Sequence, residues 1–196
     1  MKVELLNHTN NPEFVIGQMA GICYGKENTD EATCVKRAAH CVSKGHLSTL
    51  RFAHATFHIS GISRVCSHQL VRSKHLDFLQ RSQRYTEKQD TIYPQILLNY
   101  NNELSDDLDV MIDSLALASN LAYTQAISEG VKKEDARFLL LQGAETELIC
   151  VGNFQAWIDF INLRETKEAQ WEIRAVATEI REQLATISPN IFGSNK

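Results

Sequence analysis

The spacing of apolar and polar positions divides the 196-residue chain into short strands and amphipathic helices. A short strand is predicted over 1–6. Residues 12–23 and 31–44 carry apolar positions at helical spacing. Asp30, a good N-cap residue type, opens the second of these, and Gly45 can close it in a left-handed backbone. Residues 50–59 alternate, with Phe52, Thr56, Phe57 and Ile59, and predict a strand. Helical spacing returns over 62–72 through Ile62, Val65, Cys66 and Leu70, and 76–85 reads as extended. The longest helical pattern covers 105–130, with Leu108, Ile112, Leu115, Ala122 and Ile127 on its apolar side. Helices are predicted over 134–141 and 154–163 on either side of a strand over 145–151. A last helix is predicted over 168–184, with Pro189 beyond it. The expected fold is α+β, a small, mostly antiparallel sheet with several packed helices, in one domain over 1–196.

Composition narrows the class. Apolar residues make up 43% and charged residues 22%, as in ordinary globular proteins. A net charge of -4 argues against binding a nucleic-acid polymer, although a few local arginines suffice for one phosphate. No apolar run approaches the roughly 18 residues of a membrane span, and the start of the chain lacks the apolar stretch of a signal peptide. A cytoplasmic protein without a membrane partner is expected. The five cysteines are odd in number and scattered, with no Cys-x-x-Cys, which predicts reduced, partly buried thiols.

Candidate chemistry concentrates in residues 72–85, RSKHLDFLQRSQRY, where four of fourteen residues are Arg or Lys. On an extended segment side chains repeat with a period of two, so Ser82 and Arg84 share a face. A hydroxyl beside a guanidinium suits phosphate, which the guanidinium fork grips by two oxygens. The same run also suits a solvated basic edge strand that resists edge-to-edge pairing. Arg137, Arg164 and Arg174 form a second set far off in sequence. Arg164 ends the apolar stretch WIDFINL, where a cation is either a partner for the helix dipole or a ligand contact. His54 and His58 share a strand face, but that spacing separates them by roughly 13 Å, and no metal centre is expected. Cys34, His40 and Cys41 suit core packing; Trp157 and Trp171 suit core or subunit-interface positions. The chain has no Gly-x-Ser-x-Gly, phosphate-binding glycine loop or Gly-x-Gly-x-x-Gly, so no Rossmann-type site is expected.

HQLVRSKHLDFLQRSQRY, residues 68–85, resembles the signature of flavin-dependent thymidylate synthases, in which Arg-His-Arg is followed by Ser and then by Ser-x-Arg-Tyr. The preceding HLSTLRFAHATFHISGISRVCSHQLVR resembles that family's lead-in strand and helix. NFQAWIDFINLRETKEAQWEIR resembles its other hallmark, an Asn-led helix ending in Leu-Arg and followed by His-Ala-Gln-Trp-Glu-Ile. The three matches stand in the family's order, and most of the chain can be laid on it. The resemblance implies a homotetramer with FAD at subunit interfaces, NADPH as reductant and 5,10-methylenetetrahydrofolate as one-carbon donor. It implies C5 of dUMP as the acceptor, or of UMP as in some relatives. In the family reduced flavin, not a cysteine, carries electrons and methylene, in keeping with the lack of an activated nucleophile here.

Position by position, the resemblance assigns Gln69, Arg72, Gln80, Ser82, Arg84, Arg137 and Arg164 to the nucleotide. Ser82 and Arg84 would meet phosphate, and Arg164 would act as the catalytic cation beside the uracil ring. His46, Ser48, Arg72, Lys74, Asn153 and Leu163 fall near the flavin. The chain departs from the family's pattern at Ser73 for His, Lys74 for Arg, Asp77 for Ser, and Leu79 for Asn or Ser. It departs again at Arg51-Phe52 for Glu-His, Gln155 for Arg and Glu168 for His. Most of these lie on the flavin or folate side, where each lost charge-assisted contact would weaken binding by about 1.5–3 kcal/mol. A homologue that binds a uridine nucleotide but has lost flavin chemistry is the alternative reading.

Overall fold

The computed structural model describes residues 1–26, 29–86 and 106–193. Four strands, β1 (Lys2–His8), β2 (His54–Ser63), β3 (Leu76–Gln80) and β4 (Glu145–Asn153), form one antiparallel sheet in the order β1-β2-β4-β3. Period-two alternation gives the sheet a buried face: Ala55, Phe57 and Ile59 of β2 lie beside Leu148 and Cys150 of β4. Between them on the other face stand Thr56, His58, Glu147, Ile149 and Val151.

The helices are α1 (Pro12–Ile22), α2 (Glu31–Ser43), α3 (Arg64–Leu70), α4 (Asp106–Ser128), α5 (Lys133–Ala136), α6 (Phe154–Arg164), α7 (Trp171–Ile187) and α8 (Pro189–Phe192). α6 and α7 supply Phe154, Trp157, Phe160, Ile173, Val176, Ile180 and Leu184 to the core against the sheet. Trp157 is fully buried, T-shaped against Phe57 at 5.0 Å, and its indole N–H donates to the Ala55 and Gly152 carbonyls. α1 and α2 touch so closely at Gly17 that a Cβ there would overlap the Cys34 backbone. Asp30 caps α2 by accepting from the Thr33 N–H at 3.0 Å, and the Thr33 side chain, followed by this N–H, holds its carboxyl below the usual range. Gly45, at φ 72°, ends the helix as expected, with the His46 N–H returned to the Cys41 carbonyl.

Several boundaries differ from the sequence reading, each for a local reason. The first strand begins and ends later, at Lys2 and His8. The strand expected over 50–59 is β2, His54–Ser63, because Leu47–Phe52 close into a 3₁₀ turn pinned by the Thr49 hydroxyl on the His46 carbonyl. β2 runs past Ile59 because a bulge at Gly61, φ 67°, absorbs the register shift before Ile62. The helix expected over 62–72 therefore shrinks to α3, capped by Ser63.

The extended reading of 76–85 holds only to Gln80. The chain then turns, with the Tyr85 and Thr86 N–H groups donating to the Ser82 carbonyl. β3 is an edge strand, but LDFLQ carries no basic residue; the bases flank it. Residues 134–141 form α5 and a 3₁₀ turn, Arg137–Leu139. The last long helix starts at Trp171, three residues later than expected, where Gln170 caps it, and Pro189 opens α8. α4 buries Ser119 and Tyr123, while Leu108, Leu115 and Ala122 of the expected apolar side are exposed; Ser105 lies outside the described residues.

Candidate functional site

α3 is the strut of the site, and a buried hydrogen-bond network fixes where it begins. Glu172, in the first turn of α7, is buried and accepts from the Ser63 N–H at 2.8 Å and from its hydroxyl at 2.6 Å. The Ser63 hydroxyl oxygen in turn accepts from the Cys66 N–H at 3.0 Å. The EAQWEI motif thus serves this site through Gln170, which caps α7, and Glu172, which anchors α3. Burial, with the nearby Glu172 carboxylate, pushes the Cys66 thiol far up, and burial pushes Cys150 up to about 12. Neither is a nucleophile.

At the N-terminal end of α3 the arginines gather. Arg84 donates from Nε and Nη2 to one carboxylate oxygen of Glu134, at 3.1 and 2.9 Å, while Arg137 Nε donates to the Glu134 carbonyl at 3.0 Å. Glu134 therefore stands between two of the residues expected to hold phosphate. Ser82 joins Arg84 through the turn and not through a shared strand face: its hydroxyl oxygen accepts from the Arg84 N–H at 3.2 Å. Beside them opens a cleft of about 280 Å³ lined by Arg64, His68, Gln83, Arg137 and Phe138, among others.

At the other end of α3, Arg164 Nη2 donates to the Gln69 carbonyl at 3.3 Å, joining residues 95 apart in sequence. Arg164 ends α6, and its Nε is buried with no hydrogen-bond partner among the described residues. Gln80 is turned inward, donating to the Ser67 and Thr146 hydroxyls, and ties β3 to α3 and β4. Arg72 and Lys74 are exposed just beyond α3.

A second cleft, of about 210 Å³, is lined by Arg51, His75, Asn153, Gln155, Ala156 and Asp159. Asn153 caps α6 by accepting from the Ala156 N–H at 2.9 Å. Arg51 Nε donates to Gln155 Oε1 at 2.7 Å. His46 and Ser48 are exposed at the start of the 3₁₀ turn that carries Arg51, and Leu163 is exposed on α6.

The structure thus brings Ser82, Arg84 and Arg137 together around Glu134 and Gln69 together with Arg164, while Asn153 lines the second cleft. Sequence reasoning passed over Arg64, Glu134 and Glu172. The i, i+4 spacing of Arg64 and His68 was a signal of a shared helix face. Glu134 and Glu172 matter only through partners 50 and 109 residues away.

The family model for thymidylate synthase complementing protein matches residues 4–190. A flavin-dependent thymidylate synthase of Geobacter sulfurreducens is 36% identical over 199 aligned residues, covering 98% of this chain and 85% of that protein. Flavin-dependent thymidylate synthases of Mycobacteroides abscessus and Mycobacterium tuberculosis are 33% and 31% identical, each over 87% of this chain and 74% of the relative.

Proposed function

Because this chain belongs to the flavin-dependent thymidylate synthase family, which are methyltransferase enzymes, we propose that it transfers a one-carbon unit from 5,10-methylenetetrahydrofolate to C5 of a uridine monophosphate. FAD is the proposed cofactor, NADPH the reductant, and dUMP the acceptor favoured by the relatives' name. The observation that carries the reading is the meeting of Arg84 and Arg137 on Glu134, with Arg164 and Gln69 paired at the far end of the same short helix. Residues 64 and 69 of an α-helix lie about 7.5 Å apart along its axis, a span that a nucleoside monophosphate bridges from phosphate to base.

In this scheme Ser82, Arg84 and Arg137 grip the phosphate. The Arg84–Glu134 pair is 52% and 40% exposed, so it contributes only about 0–1 kcal/mol, and a phosphate displaces the carboxylate at little cost. Gln69 and Arg72 flank the base, and the inward Gln80 holds the turn that presents Ser82. Arg164 Nε, buried and unpaired, is a preorganised donor for the negative charge that develops on the pyrimidine as C5 becomes nucleophilic.

Three residues of the second cleft suit polar groups of FAD, a guanidinium (Arg51) and two amides (Asn153, Gln155), while Phe52, next to Arg51 in sequence, is exposed. His46, Ser48, Arg72 and Lys74 complete the proposed set. These residues would hold FAD, which, once reduced by NADPH, would supply the electrons for forming the methyl group. A homotetramer is part of the proposal, supported by large apolar side chains left open on α4.

Anaerobic incubation of the full chain with FAD, NADPH, methylenetetrahydrofolate and either dUMP or UMP tests the function. A 5-methylated dUMP, identified by mass spectrometry, is the expected product. Turnover of UMP with dUMP inert would reassign the sugar, and no methylated pyrimidine from either nucleotide would overturn the reading.

A further inference from the structure

We propose that Arg64 is a further phosphate-binding residue of the nucleotide site, and that it makes the site select a phosphorylated nucleotide over the free nucleoside. The inference rests on the function proposed above. Arg64 opens α3 and lines the 280 Å³ cleft together with Arg137, His68 and Gln83. Its Nη2 donates to the Arg81 carbonyl at 3.1 Å, whereas its Nε is buried and has no partner among the described residues. Among the described residues no carboxylate pairs with Arg64, although Glu134 is at hand for Arg84.

Burial, and secondly the positive charge of Arg137, lower the proton affinity of Arg64. A half-buried guanidinium facing a second cation with an unused donor is unfavourable when alone, and a dianion between the two cures both defects. A phosphate is the part of a uridine nucleotide with that charge. A free nucleoside offers nothing comparable, so the gain from Arg64 is confined to phosphorylated ligands.

The test is calorimetric titration of the full chain, wild type, Arg64→Met and Arg64→Lys, with dUMP and with deoxyuridine. Arg64→Met is expected to weaken dUMP by about 10- to 100-fold and to leave deoxyuridine unchanged, with Arg64→Lys between. Should Arg64→Met fail to fold by circular dichroism, Arg64→Lys carries the test: it keeps the charge, loses the fork and must still weaken dUMP selectively. An unaltered ratio of the two affinities in the folded variants would overturn the role of Arg64 alone. A wild type that binds neither ligand would overturn the nucleotide reading itself.

Discussion

Gln155 and Arg51 look like two losses when each is compared with the family's pattern alone. The structure sets them side by side: Arg51 Nε is held 2.7 Å from the Gln155 side-chain oxygen at the edge of the Asn153 cleft, so a guanidinium stands next to position 155. Position 155 itself carries no charge, and the nearby guanidinium comes from a residue 104 positions away. Arg51→Gln is expected to weaken FAD by about 10-fold, the low end of a charge-assisted hydrogen bond, as read by quenching of flavin fluorescence on titration. Unchanged affinity would show that this guanidinium does not meet the cofactor. The cysteines give a second residue-scale outcome. Cys34, Cys41, Cys66 and Cys150 are buried and Cys23 is exposed. A thiol reagent at pH 8 should modify one cysteine per native chain and five after unfolding; rapid modification of two or more in the native protein would contradict the burial.

At the scale of elements, what could be read from the chain was whatever local pattern decides. The Asp30 cap, Gly45 stop, α6, β4 and the antiparallel sheet class follow from residue types within a few positions of each other. What escaped depends on distant partners. The 3₁₀ turn before β2 resembles a strand in composition, and only the burial of Leu50 and the backbone link from Phe154 N–H to the Ala53 carbonyl decide otherwise. The candidate site followed the same division: Ser82 and Arg84 stood out in the basic run 72–85, Arg137 and Arg164 were assigned to the nucleotide only through the family resemblance, and the Ser63–Glu172 network that positions α3 was not legible. Glu172→Ala should cost about 3 kcal/mol, since it leaves two buried Ser63 donors unpaired. Urea unfolding measures this, and Glu172→Gln, which retains one acceptor, should lie between. A loss under 1 kcal/mol for the alanine variant, roughly that of one ordinary net hydrogen bond, would mean that the network does not hold α3. Nucleotide affinity should fall with it, because Arg64 and Gln69 ride on that helix.

For the whole molecule, α4 is the element on which the proposed assembly can be tested. Its inner face holds Ser119, whose hydroxyl donates to the Leu139 carbonyl at 2.6 Å, and the buried Tyr123. Val110, Leu117 and Leu121 fall at i, i+7 and i+11, nearly opposite that face at 100° per residue, and all three are exposed. Phe138, after α5, is 85% exposed beside Arg137. An exposed apolar helix face of this length suits the contact surface that the proposed homotetramer needs, and each large side chain buried there would contribute about 1.5–3 kcal/mol. In a symmetric oligomer that gain recurs at every copy of the interface, so a two-residue change is amplified. Leu117→Glu with Leu121→Glu is expected to turn a tetramer into smaller species in light scattering coupled to size exclusion. The far-ultraviolet circular dichroism should stay intact, because neither side chain belongs to the buried core. Phe138 lies in the lining of the Arg64 cleft, so loss of the assembly should also weaken dUMP in the same variant. A variant that remains tetrameric would detach α4 from the subunit contacts. One that dissociates yet binds dUMP with wild-type affinity would show that the nucleotide site is complete within one chain.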